Sequence, residues 1–144
     1  MNSVTQILKA KGNQIWTVSI EMSVLDALKI MADHQVGSVI VMDGDQVVGI
    51  FTERDYAHKV GLLDIAPSTV KISDVVTRDL ITVKPEDTVS HCMVVITENH
   101  IRHLPVMKDN QIVGLVSIGD VVKDIIEELQ FAITQLENYI TYFR

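Results

Sequence analysis

The chain has 144 residues, 47% of them apolar, and a formal net charge of −7. That length suits one compact domain or two half-domains sharing a core, and the negative charge argues against a sequence-independent grip on nucleic acid, which needs clustered cations. No apolar run nears the roughly 20 residues that span a bilayer, residues 1–12 lack the apolar core of a secretory signal, and the one cysteine, Cys92, allows no intrachain disulfide. A cytoplasmic protein bound to neither membrane nor nucleic acid is expected.

In chain order, Val4 to Lys11 has the pattern of a leader helix. An extended piece follows around Ile15 to Val18. Ser23 is placed to cap a helix with Val24, Leu25, Ala27, Leu28, Ile30 and Met31 on its apolar face, ending near His34 to Gly37. Val39 to Met42 is a short buried strand, Asp43-Gly44-Asp45 a turn, and Val47 to Phe51 the returning strand. Thr52 caps a second helix that carries Glu53 and Asp55 in its first turn and stops near Gly61. A short helical turn is predicted at Ser73 to Thr77.

The same order then returns. Residues 17–56 overlay 82–121 at a constant offset of 65, with identities that include Thr17/Thr82, Val41/Val106, Gly49/Gly114 and Asp55/Asp120. Ile81 to Val83 is extended, Thr88 caps a helix to about Asn99, Leu104 to Met107 and Ile112 to Val116 are strands, and Ser117 caps the last helix. A period this long in a short chain means two copies of one supersecondary unit. The fold class is therefore α/β (α+β): two β-α-β-β-α repeats packed as a pseudo-two-fold module, with a leader helix and an extended C-terminal helix. The expected divisions are 1–64 for the first repeat with its leader, 65–128 for the second, and 129–144 for the helical extension. Apolar residues continue at spacings of three and four from Val121 to Phe143, which suggests an intersubunit helix. Paired units leave a cleft between them, and such clefts are where small ligands tend to bind.

Two segments carry the candidate chemistry, Gly49-Ile50-Phe51-Thr52-Glu53-Arg54-Asp55 and Gly114-Leu115-Val116-Ser117-Ile118-Gly119-Asp120. Each puts a hydroxyl where strand becomes helix and an Asp one turn later on the same face. Such a pair can accept hydrogen bonds from a vicinal diol such as ribose, with backbone N–H groups at the helix start facing an anion. The alternative is a capping box, in which Thr52 or Ser117 caps and Asp55 or Asp120 reciprocates. No zinc-ligand spacing, Walker loop, GxGxxG or Ser-His-Asp arrangement is present, so neither a metal site nor a catalytic role is expected. Cys92 falls opposite Ala27 in the overlay, a core position rather than a nucleophile.

With these motifs and the Ile101-Arg102-His103-Leu104-Pro105-Val106 segment, the chain resembles a tandem pair of CBS domains, the Bateman module, over about residues 4 to 128. The resemblance implies an adenine nucleotide or related adenosyl ligand between the repeats, with Asp55 and Asp120 on ribose hydroxyls and Thr52 and Ser117 on ribose or phosphate. It places Ile15, Thr17, Ile81 and Thr82 at the adenine edge, with Gly37 and Ser38, and implies that the Arg102 and His103 side chains face phosphate. Arg54 and Lys59 are further phosphate candidates, and Trp16 is a candidate base-stacking side chain. Gly37 and Ser38 stand where the second repeat has Arg102 and His103, so two equivalent sites are not expected. AMP, ADP or ATP is the expected ligand, NAD and S-adenosylmethionine remaining open. The expected role is regulatory, in a homodimer formed through the CBS helices and the C-terminal helix, with output through an effector protein. A ligand-independent dimerisation module is the alternative.

Overall fold

The structure is a computed structural model and describes residues 2–143. It is a mixed α and β fold of two compact units, one formed by Gln14–Ile81 and one by Met1–Asn13 with Thr82–Arg144.

The first unit is built on a three-stranded sheet in the order β1 (Thr17–Ser19), β2 (Ser38–Asp43), β3 (Gln46–Thr52). β1 runs parallel to β2, the two joined by α2 (Val24–His34), and β2 and β3 form an antiparallel hairpin. Ser23 caps α2 by accepting from the Asp26 N–H. Gly44 supplies the positive φ of 58° that the two-residue turn requires. Val24, Ala27 and Met31 on one face of α2 pack with Val39, Val41 and Phe51 of the sheet and with Ile72, Val75 and Val76. That apolar row follows the helical period, which is why the sequence pattern located the helix. After β3 comes one turn of α-helix, α3 (Glu53–Tyr56), which widens into a π-helical turn over Ala57–Gly61.

The second unit repeats the hairpin as β4 (His103–Lys108) and β5 (Gln111–Ser117), preceded by α4 (Val89–Asn99) and followed by α5 (Ile118–Tyr142). The copies agree in fine detail. Each hairpin has its register shift at the matching place, Val41/Met42 and Val106/Met107. Each connecting helix ends on a residue in the left-handed region, Gln35 and His100, both at φ 54°.

Two expectations change. The predicted first strand of the second repeat shrinks to one parallel bridge, Val83 to Val106. In the first repeat, the Ile40 N–H donates to the Trp16 carbonyl and the Ile20 N–H to the Met42 carbonyl. The residues 65 positions later are Pro105 and Pro85, which have no N–H to donate. Only the bonds from Val83 N to Pro105 O and from Met107 N to Val83 O survive.

The second change concerns the leader helix, assigned above to the first repeat. α1 (Val4–Lys11) belongs to the unit of the second repeat. Its start is tied there by Val4 N to Asp87 O, Thr5 N to Pro85 O, and Val89 N to Asn2 O. The segment after the first repeat plays the same part for that repeat: Ile72 N bonds Met22 O, Ser73 N bonds Ile20 O, and Val24 N bonds Val70 O. Residues 65–81 therefore go with the first repeat, and the predicted turn at Ser73 to Thr77 is a single 3-10 turn at Ile72–Asp74. Both segments offer the apolar spacing i, i+3, i+4, as Val4, Ile7, Leu8 and as Ile72, Val75, Val76, all buried.

Candidate functional site

Each strand-to-helix turn is assembled alike. In the first, β3 ends at Thr52, whose cross-strand partner is Ser38 at the start of β2. The Thr52 hydroxyl accepts from the Asp55 N–H at 3.2 Å, and the Asp55 carboxylate accepts from the Thr52 N–H at 3.0 Å. The first helical amide, Glu53 N–H, donates to Gly37 O. In the second, β5 ends at Ser117 opposite His103. Asp120 Oδ2 accepts from the Ser117 N–H at 2.8 Å, the Ser117 hydroxyl accepts from the Asp120 N–H at 3.1 Å, and Ile118 N–H donates to Arg102 O. Both motifs are thus complete capping boxes, and most helix-start amides expected to face an anion already have partners.

The two aspartates differ in what remains. Asp55 is only 8% exposed. Its Oδ2 takes the Thr52 N–H and hydroxyl, and its Oδ1 takes the Thr77 hydroxyl at 2.9 Å and the Lys59 ammonium at 3.2 Å. Asp120 is more open, its side chain 21% exposed. Its Oδ2 holds the capping bond and a 2.6 Å ion pair with Lys11, which also donates to Leu115 O at 2.9 Å. Asp120 and Lys11 line a small surface cavity with Ile7, Ala10, Lys123 and Asp124.

The remaining predicted residues divide by unit. Gly37, Ser38, Thr52, Arg54, Asp55 and Lys59 gather at the first turn, with Ile15, Trp16 and Thr17 at the sheet edge beside β2. Arg102, His103, Ser117 and Asp120 gather at the second, and Thr82 adjoins the Val83 bridge. Ile81 and Thr82 fall in different units. Lys59, expected to serve phosphate, has its ammonium held by Asp55 and by the Val75 carbonyl at 2.9 Å. Arg54 and Arg102 are exposed, and His103 is half-buried. Trp16, a candidate for stacking on a base, has one face stacked on His34, ring centroids 3.4 Å apart at 10°. Ser38 is only 2% exposed, and its hydroxyl has no hydrogen-bond partner among the described residues.

Sequence reasoning missed Thr77 and Lys11. Each reaches a motif aspartate from a leader segment, and only tertiary packing brings it there. Among the described residues, no group of three or more His, Cys, Asp and Glu side chains is arranged to hold a metal ion, and no helix is long and apolar enough to cross a membrane.

Cys92 is buried on α4. Burial pushes its thiol up from 9.0 to about 11, the Asp87 charge adds to this, and a backbone hydrogen bond partly opposes it. The native thiol is therefore protonated at neutral pH and shielded. A colourimetric thiol reagent is expected to modify Cys92 only on unfolding. Between pH 9 and about 11 the unfolded chain releases a proton that the native chain keeps. Stability should fall as pH rises through that window, read as a lower urea midpoint at its top than below it.

Comparison with known proteins agrees with this architecture. The CBS domain family model matches residues 11–61 and 72–127. The mitochondrial CBS domain-containing protein CBSX3 of Arabidopsis thaliana is 38% identical, over 96% of this chain and 71% of its own length. A solved structure from Burkholderia ambifaria, described as a candidate signal-transduction protein with CBS domains, superposes with a TM-score of 0.85. It is 41% identical and covers 88% of this chain and 95% of its own. The CBS domain pair of MJ0100, solved with 5′-methylthioadenosine and S-adenosylmethionine, superposes with a TM-score of 0.76 at 25% identity, covering 86% of this chain and 99% of its own. The chain belongs to the CBS domain family, as a tandem CBS pair.

Proposed function

We propose that this CBS pair is a regulatory module that binds an adenosyl ligand and passes the binding event to an effector protein through a conformational or oligomeric shift. The observation that carries this reading is the second strand-to-helix turn, where Asp120, its side chain 21% exposed, commits Oδ2 to the cap and to Lys11 while His103 faces Ser117 across the hairpin. The adenosyl class is supported by the family and by the ligands of the MJ0100 pair. Among such ligands AMP, ADP or ATP leads, because Arg102 and His103 stand beside the Ser117–Asp120 turn and suit a phosphate chain. Ser117 and Asp120 are the leading ribose pair, since Asp55 spends both its oxygens within the protein.

A thermal-shift screen with AMP, ADP, ATP, NAD and S-adenosylmethionine tests the proposal. Stabilisation by at least one, of about 2.7 kcal/mol at a hundred times its dissociation constant, is expected. No shift with any of them counts against it.

The saturation of Asp55 favours a second reading, a ligand-independent homodimerisation module working through the CBS helices and the C-terminal helix, with both motifs serving only as caps. Under that reading Asp120→Ala changes stability and nothing else.

A further inference from the structure

α5 runs 25 residues, yet only Val121 on it is buried. From Ile126 to Phe143 every residue is exposed. Helices in proteins draw most of their stability from packing an amphipathic face rather than from propensity, and this stretch holds one alanine, Ala132, among β-branched and aromatic residues. Its stability has to come from something packed against it.

The exposed apolar residues state what that is. Val122, Ile126, Leu129, Ile133, Leu136, Ile140 and Phe143 are spaced four, three, four, three, four, three. This is an unbroken heptad seam, with isoleucine at every a position (Ile126, Ile133, Ile140) and leucine at both central d positions (Leu129, Leu136). Each member is 40–67% exposed. Isoleucine at a with leucine at d is the combination that favours two strands over three or four. The flanking e positions hold Lys123, Gln130 and Glu137 and the g positions Ile125, Ala132 and Tyr139, so no run of like charge opposes pairing. A membrane surface fits worse, because the polar face is acidic, with Asp124, Glu127, Glu128 and Glu137 against Lys123.

We propose that α5 pairs with α5 of a second copy of the chain as a two-stranded coiled coil along this seam. The proposal gives the homodimer reading above a register and a stoichiometry, and it is independent of any ligand.

Sedimentation equilibrium of the full chain tests it. The wild type is expected at twice the chain mass. Ile133→Lys puts a charge at the central a position and is expected to weaken the dimer about thirtyfold or more. Ile133 is 53% exposed, so the fold should persist, and circular dichroism checks this. Phe131→Ser removes a side chain that is more exposed still, at 67%, from an f position off the seam, and should leave the dimer intact. A monomeric wild type overturns the proposal and the homodimer reading together. A trimer or tetramer, or a dimer that survives Ile133→Lys, overturns the seam alone. Equal loss in Phe131→Ser also overturns it, since contact would then be unspecific.

Discussion

Replacing Gly49 with alanine is expected to destabilise the first unit by about 4 kcal/mol or more, into the range that marks a specific structural fault. A Cβ at Gly49 would lie 2.1 Å from the Thr77 carbonyl oxygen and 2.9 Å from its carbon. These are backbone atoms with little room to retreat, because Thr77 N and O both pair with Ile50 at 3.0 Å. The contact can be relieved only by breaking the bridge that fastens the segment after the repeat to β3. That would also disturb the Thr77 hydroxyl's bond to Asp55. Gly114 holds the matching place in the second repeat and provides the control. A Cβ there would meet Leu8 side-chain atoms, the nearest at 2.7 Å. A buried leucine can change rotamer at the cost of overpacking, about 1–3 kcal/mol. Urea denaturation should therefore rank Gly49→Ala well below Gly114→Ala. Equal losses would mean that the Thr77 backbone does not hold its position.

Asp55→Ala is expected to cost more stability than Asp120→Ala, although the two are equivalent in the repeat. Removing the Asp55 carboxylate deletes a helix cap, worth about 0.5–2 kcal/mol. It also leaves the Thr77 hydroxyl and Lys59 without the acceptor that they share. Hydrogen bonds to a charged group contribute about 1.5–3 kcal/mol each. Lys59 is 42% exposed and can turn to water, so the total should fall at about 2–4 kcal/mol. Asp120→Ala removes a cap and a solvent-screened pair with Lys11, and should stay within about 0.5–2 kcal/mol. The order should show in urea midpoints of the two variants. If Asp120→Ala proved the more damaging, the division into a structural and an available aspartate would not stand.

Much of this architecture was legible in the chain, and what was not has identifiable causes. The helices capped by Ser23, Thr88 and Ser117 and the two hairpins announce themselves, because periodicity, caps and turn residues are local signals. The leader helix at Val4–Lys11 was equally visible. Its packing on the second repeat was not, since an apolar row states that a face is buried and not against what. The weak first strand of the second repeat was legible in principle: Pro85 and Pro105 stand where the first repeat donates ladder bonds. At the candidate site, the Thr52–Asp55 and Ser117–Asp120 pairs were read in outline, with capping and ribose binding both open. Their inequality comes from Thr77, Lys59 and Lys11, and two of these arrive through long-range packing. The seam on α5 lay in the spacing alone, and the exposure of its residues gave that spacing its meaning.

Isothermal titration calorimetry with AMP, ADP, ATP, NAD and S-adenosylmethionine, on the wild type and on folded Asp120→Ala, separates a ligand sensor from a dimerisation module. Saturable binding of at least one adenosyl compound is predicted, weakened about tenfold or more when the Asp120 carboxylate is removed. The absence of binding by any of them, or binding indifferent to Asp120, would contradict the account.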